Sequence, residues 1–380
     1  MNAACLVQTF ACIVVVFGAG VNARHADDLA IRRMKRRATL KDIAKVAGVH
    51  LSTVSRALDP RTEKLLTPEV VADVRRISRE LNYRPNAAAH SLRTNRTRTV
   101  GVVVPDITNP VFPPIIRGIE DALAKRGYLA VLANTDGRLV QEAEIADLLR
   151  ARGVDGLILA SVEREDDAVS RLAAEGLPIV TVNRRVDDPA VSSVVNDEDA
   201  GILDVLQHLV SLGHRRIANV AGPQAMSTGV DRYQAFERHR RALGVNDDPA
   251  LVVFASAFNE ESGLAMTQEL LERRLGFTAL VAANDRLAIG AIDALRMNGL
   301  NCPRDVSVTG YNDMPLVDRL SPALTTVRIQ QYRVGFDAGR ILLDLIETSA
   351  EHRSPQHLVN PVELIVRNSS DVPGVPLASP

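Results

Sequence analysis

The sequence predicts a small all-α head followed by an α/β core of two doubly wound parallel-sheet lobes. Three observations lead there. From Thr99 onward short β-branched runs alternate with amphipathic helical segments, the pattern of parallel strands covered by helices on both faces. Between Thr39 and Asn82 the apolar spacing is helical instead. At 380 residues the chain is also too long for one ordinary hydrophobic core.

Charge divides along the same line. The net charge is -1, yet Met34 to Arg98 holds 15 Lys and Arg against 6 Asp and Glu, an excess of nine positive charges on an otherwise acidic chain. A compact basic block with its own helical pattern is what a phosphate backbone attracts. Of three cysteines, Cys5 and Cys12 lie in the leading apolar run and Cys302 in the body. That rules out a disulfide framework or cysteine metal cluster and suits a reducing cytosol.

The leading run "AACLVQTFACIVVVFGAGV", Ala3 to Val21, has no charged side chain and reaches membrane-spanning length. It lacks a preceding Lys or Arg and a cleavage sequence close behind, as a secretory signal would need. If it spanned a membrane, Arg32, Arg33, Lys35, Arg36 and Arg37 would keep the downstream chain on the cytoplasmic side. The expectation is that translation starts at Met34, residues 1–33 being upstream sequence, with no membrane partner and a cytoplasmic, nucleoid-associated location. A real anchor and a signal peptide are the alternatives.

In the head, Leu40, Ile43, Ala44 and Ala47 fall at i, i+3, i+4 and i+7 and give one apolar helical face, with Thr39 and Asp42 as its N-terminal cap. Gly48 permits a tight turn. Val54, Ala57 and Leu58 form the inner face of a second helix, whose outward face carries Ser52 and Arg56. Thr67-Pro68-Glu69 signals a third helix running to about Asn82. This is a helix-turn-helix, whose second helix lies in the major groove of DNA.

"TLKDIAKVAGVHLSTVSRAL" followed by "LNYRPNAAAHSLRTNRTRTVGVVVPDITNP" resembles the lactose-repressor/galactose-repressor (LacI/GalR) family of bacterial transcription regulators, and the likeness continues to about Asn368. The resemblance implies that Leu51, Ser52 and Arg56 read bases and that Thr53 and Ser55 contact phosphates, with Thr39 alongside. An arginine can offer guanine two donors. His50 stands where the family usually has a serine cap, and the loop Asp59–Leu66 is slightly longer than usual; both bear on operator preference.

"RPNAAAHSL", Arg84 to Leu92, is alanine-rich and too short to be a stable helix in isolation. The resemblance makes it a hinge helix that forms on DNA against its twin, with Asn86 and Ala89 at the DNA and Leu92 entering the minor groove to kink the duplex. His90 replaces a common arginine there. A flexible linker is the plain alternative.

Eight strands are legible in the body: "TVGVVVPD", "YLAVLAN", "VDGLILAS", "LPIVTVN", "RRIANVAG", "LVVFAS", "TALVAAND" and "VSVTGYND". They suit two lobes dividing near Val195–Asp199, a core resembling periplasmic-binding-protein-like type I, with a ligand at the strand ends between the lobes. Polar residues ending those strands are the candidates: Asp106, Asn109, Asp136, Ser161, Asn183 with Arg184, Asn284 with Asp285, and Asn312 with Asp313. Each also suits a helix cap. The resemblance adds Arg232 as an effector-clamping arginine, Asn284 and Asn312 as polar contacts, and Phe112 as a neighbouring aromatic. The family often has Asp where Asn312 stands. With no Trp and 3% aromatic residues, stacking on a sugar falls to Phe112 or a tyrosine.

No Walker loop, GxSxG, HExxH, CxxC or GxGxxG occurs, and the eight histidines are scattered, so neither enzyme activity nor a cofactor or metal is expected. The expected layout is a leader (1–33), a DNA-binding head (34–83), hinge and linker (84–98), an effector-binding and dimerising core (99–370) and a disordered tail (371–380). Such a chain would repress from operator DNA as a homodimer or higher oligomer, under a small metabolite, most simply a sugar or sugar acid. The rival from another class is an exported or tethered solute-binding protein.

Overall fold

The structure is a computed structural model that describes residues 38–59, 62–83 and 96–373. The leader, most of the hinge with Asn86, Ala89, His90 and Leu92, and the tail from residue 374 lie outside the described residues. The chain divides into two units, a head ending at Ala87 and a core beginning at Ala88.

The head is three helices, α1 (Leu40–Ala47), α2 (Leu51–Ala57) and α3 (Pro68–Glu80). α1 starts at a reciprocal cap. The backbone N–H and hydroxyl of Thr39 each donate to Asp42 Oδ2 at 2.7 Å, and Thr39 Oγ1 accepts from the Asp42 N–H at 3.4 Å. Gly48 ends it with φ of 65°, a left-handed conformation that costs glycine little. Ile43, Val54, Ala57, Val74 and Ile77 make the buried centre, with Leu40, Ala44, Ala47 and Leu58 packed around it. Pro68 opens α3, where its missing N–H costs nothing.

The core holds two six-stranded sheets. The first runs β2 (Leu129–Asn134), β1 (Thr99–Val104), β3 (Gly156–Leu159), β4 (Ile179–Val182), β5 (Ser192–Asn196), β11 (His357–Asn360), all parallel. The second runs β7 (Val252–Phe254), β6 (Ile217–Ala221), β8 (Ala279–Ala282), β9 (Ser307–Asn312), β10 (Thr325–Arg328), β12 (Glu363–Ile365), parallel except for β12. The central strands are buried along nearly their whole length, as both-face coverage requires. Eight strands match the expected eight; β5, β10, β11 and β12 are additional.

The chain leaves the first sheet at Asn196 and enters the second lobe through α7 (Glu198–Ser211), where one division was expected. It then crosses twice more. After β10, α11 (Gln331–Glu347) packs on α4 (Phe112–Ala124) and on β3, β4 and β5, and β11 joins the first sheet before β12 returns to the second. Asp371, assigned to the tail from sequence, is tied into the second lobe: its carbonyl accepts from His214 Nε2 at 2.8 Å and from the Ser307 hydroxyl at 3.1 Å. Among the described residues no helix is long and apolar enough to cross a membrane, and no cluster of His, Cys, Asp and Glu has the makings of a metal site.

Candidate functional site

Two surfaces gather polar side chains. The first is the outer face of α2. Burying Val54 and Ala57 turns Leu51, Ser52, Ser55 and Arg56 to solvent, with Thr53 half-buried. The unexpected cap works: His50 Nδ1 accepts from the Ser52 N–H at 3.2 Å, and the Ser52 hydroxyl lies 2.8 Å from the same nitrogen. A ring nitrogen that accepts from an N–H leaves the hydroxyl to donate to it, so Ser52 presents lone pairs outward. Thr39 is engaged in the α1 cap.

The second surface is the cleft between the lobes of the core. Asn109, Val111, Phe112, Asn183 and Arg184 line it from the first lobe. Thr228, Arg232, Phe258, Asn284 and Asn312 line it from the second. The free space is about 20 Å3, the room of a single water. The lobes are tied on both flanks. The Arg185 guanidinium grips Asp231 with two hydrogen bonds, and the Arg185 N–H donates to the Ser227 hydroxyl at 3.0 Å. Arg286, from α10 (Asp285–Met297), pairs with Glu260 of its own lobe at 2.7 Å and with Asp106 across the cleft at 3.4 Å.

Arg232 stands on α8 (Ser227–Ala242) and is 3% exposed. Its Nε and Nη2 donate to the Glu198 carboxylate at 2.7 and 3.1 Å, its Nη1 to the Ala283 carbonyl at 2.6 Å, and its Nη2 reaches Asn312 Oδ1 at 3.4 Å. The guanidinium lies 3.7 Å from the centre of the Tyr311 ring. Burial opposes its charge, but Glu198 outweighs that and raises its pKa. α7 can pass so close because residue 201 is glycine: a Cβ there would sit 2.4 Å from the Tyr311 hydroxyl.

Arg184, 6% exposed, is held differently. Its Nε and Nη1 are buried without a hydrogen-bond partner among the described residues, and its guanidinium sits 5.8 Å from the Phe258 ring centre. Burial pulls its pKa down to about 10, so it remains a cation at neutral pH. Asn183 at φ 66° and Asn312 at φ 113° end their strands in the left-handed half of backbone space, which asparagine enters more readily than most side chains.

The cleft therefore gathers Asn109, Phe112, Arg184, Arg232, Asn284 and Asn312. It does not gather Asp106, whose oxygens take the Thr108 N–H and hydroxyl and Arg286. Asp136 sits in an exposed turn against Asn134, and Ser161 is buried beside Glu142. Sequence reasoning missed Val111, Thr228, Phe258 and the Glu198 partner. Phe258, one of only eight phenylalanines, was the one with a signal.

Comparison with known proteins finds relatives of both parts of the chain. A model of the lacI family of bacterial regulatory proteins matches residues 39–86, and one of a periplasmic-binding-protein-like domain matches residues 206–370. The transcriptional regulator CelR of Thermobifida fusca is 35% identical over 342 residues, 88% of this chain and 99% of its own. The repressor CytR of Escherichia coli K12 is 30% identical over 344 residues, 89% and 98% of the two chains. Among solved structures, the lac repressor dimer bound to operator and the anti-inducer ONPF superposes with a TM-score of 0.76 at 25% identity, over 88% of this chain and all of the other. A CelR–cellobiose complex gives 0.67 at 34% identity, over the same shares.

Proposed function

The chain belongs to the lacI family of bacterial regulatory proteins, and from that premise we propose a cytoplasmic homodimeric repressor whose grip on double-stranded operator DNA is set by a small metabolite held between the lobes of its core. The observation that carries the reading is the division of α2: Val54 and Ala57 fully buried, Leu51, Ser52, Ser55 and Arg56 facing out. Leu51, Ser52 and Arg56 read base edges, while Thr53, Ser55 and Thr39 lie against the backbone. A near-palindromic operator requires a twin head, and β2 offers a surface for pairing: it is a sheet edge with Leu129, Val131 and Leu132 exposed.

In the core, Asn109, Phe112, Arg184, Arg232, Asn284 and Asn312 contact the effector, a sugar or sugar acid. The relatives bear on this only by analogy, one being solved with cellobiose. The mechanism is linkage. A ligand that prefers one lobe spacing changes operator affinity by its own difference in affinity, typically ~1–3 kcal/mol. The rival reading, a solute-binding protein, is not favoured, since it has no use for a folded helix-turn-helix.

The test is retardation of promoter fragments from the host chromosome, with steep weakening as salt rises. Arg56→Ala should cost about 1–3 kcal/mol at the preferred site and little on scrambled DNA. Unchanged discrimination by Arg56→Ala removes α2 as the reading surface.

A further inference from the structure

Charge in the cleft is distributed unevenly. None of its ten lining residues is Asp or Glu, and two are arginines. Arg232 is already neutralised, its donors taken by Glu198, the Ala283 carbonyl and Asn312. Arg184 has no such partner: it is more than nine-tenths buried, lines the cavity and leaves Nε and Nη1 unbonded among the described residues. The acid that acts on it most strongly is Glu142, which lies outside the lining and which burial pushes up to about 7, so it is only partly ionised at neutral pH. Keeping a guanidinium out of water with so weak a counter-charge is costly, and a bound anion would lower that cost.

The neutral groups point the same way. Asn109 Oδ1 accepts from the Val111 N–H at 3.2 Å, and Asn284 Oδ1 from the Leu287 N–H at 2.8 Å. Asn312 Oδ1 takes Arg232 at 3.4 Å, and Asn183 Oδ1 takes the Asn196 amide at 3.5 Å. In all four the carbonyl end is in use and the NH2 end makes no hydrogen bond among the described residues, with backbone donors fixing the orientation of Asn109 and Asn284. The lining is rich in donors and poor in acceptors. It complements a ligand whose polar groups accept.

We infer that the effector is a sugar acid, an aldonate or uronate, whose carboxylate is received by Arg184 and not by Arg232, while the four asparagine amides donate to its remaining oxygens. The inference rests on the reading of the cleft as the effector site and adds the chemistry of the ligand. A carboxylate at Arg184 would supply the absent counter-charge and charge-assisted hydrogen bonds, and Phe112 and Phe258 are the apolar walls available to the carbon skeleton.

The experiment is titration calorimetry on the full chain with matched pairs: gluconate and glucuronate against glucose, galactonate and galacturonate against galactose, and sulfate as a bare anion. At least one acid should bind on the order of 10- to 100-fold more tightly than its neutral parent, the weight of hydrogen bonds to a charged group. Arg184→Gln should erase that margin, read as the ratio of the acid's affinity to that of its neutral parent. Four outcomes overturn the inference: neutral sugars binding in preference to the acids, no acid binding, sulfate matching the best acid, or Arg184→Gln leaving acid affinity unchanged. The first three need no variant, so a variant that fails to fold does not shelter the idea. Operator retardation run in parallel keeps the two readings apart. Its failure sinks the regulator and not the sugar-acid site, and a wrong ligand class does the reverse.

Discussion

Replacing Glu198 by glutamine should destabilise the core more than most single changes, because it removes the counter-charge of a cation that cannot reach water. Glu198 and Arg232 are 6% and 3% exposed and meet through two hydrogen bonds of 2.7 and 3.1 Å. Breaking a buried pair by removing one member costs about 3–5 kcal/mol. Glutamine keeps one acceptor, and the Tyr311 face still contributes ~0.5–2 kcal/mol of cation–π attraction, so the expected cost is near the lower end, about 3 kcal/mol. At about 2–4 °C per kcal/mol for a domain of this class, the melting temperature should fall by roughly 6–12 °C. Calorimetric melting of the parent, Glu198→Gln, Arg232→Met and the double variant at pH 7.5 reads this directly. The double variant, with both charges gone, should be more stable than the sum of the singles implies. A loss below about 1 kcal/mol for Glu198→Gln, or strict additivity in the double variant, would refute the claim that Arg232 depends on Glu198 for its charge.

Three further outcomes are expected. Thr39→Ala removes one side of the α1 cap and should cost the head about 1 kcal/mol, read as a lower unfolding midpoint for the head or reduced helical signal. Gly201→Ala places a methyl 2.4 Å from the Tyr311 hydroxyl and should cost ~1–3 kcal/mol by overpacking; a neutral substitution in urea unfolding would show that Tyr311 is free to move. His214, buried among Thr278, Ser307 and the Asp371 carbonyl, has its pKa lowered by burial. As pH falls below the ordinary value of 6.5 the unfolded chain takes up the proton first, so stability is full above that pH and lost beneath it. Urea midpoints at pH 7.5 and 5.5 should differ in that sense for the parent, and less for His214→Gln.

How much the sequence showed depends on where the physical signal is local. The head was legible because cap, turn and helical period all lie within a few residues: Thr39 with Asp42, Gly48, then Val54 and Ala57. The eight long or strongly apolar strands were legible for the same reason. β11 and β12 were not, being four and three residues with mixed exposure, and their place in the sheets is set by pairing with strands some 160 and 40 residues away. In the cleft, strand-end position found Asn109, Arg184, Asn284 and Asn312 and also proposed Asp106, which an ion pair across the lobes claims instead. Nothing local marks Glu198. Its role exists only because α7 brings it against α8, 34 residues on.

Because the polypeptide passes between the lobes at three places, neither lobe is a contiguous stretch of sequence. The first owns β1 to β5 and also α11 and β11, which are made some 135 residues later. A ribosome can therefore complete neither half before nearly the whole chain has emerged, and a gene shortened at residue 330 would yield a first lobe without one of the helices over its sheet and without an edge strand. Excising either lobe as a sensor, or grafting one onto another head, calls for a circularly permuted design in place of a simple cut.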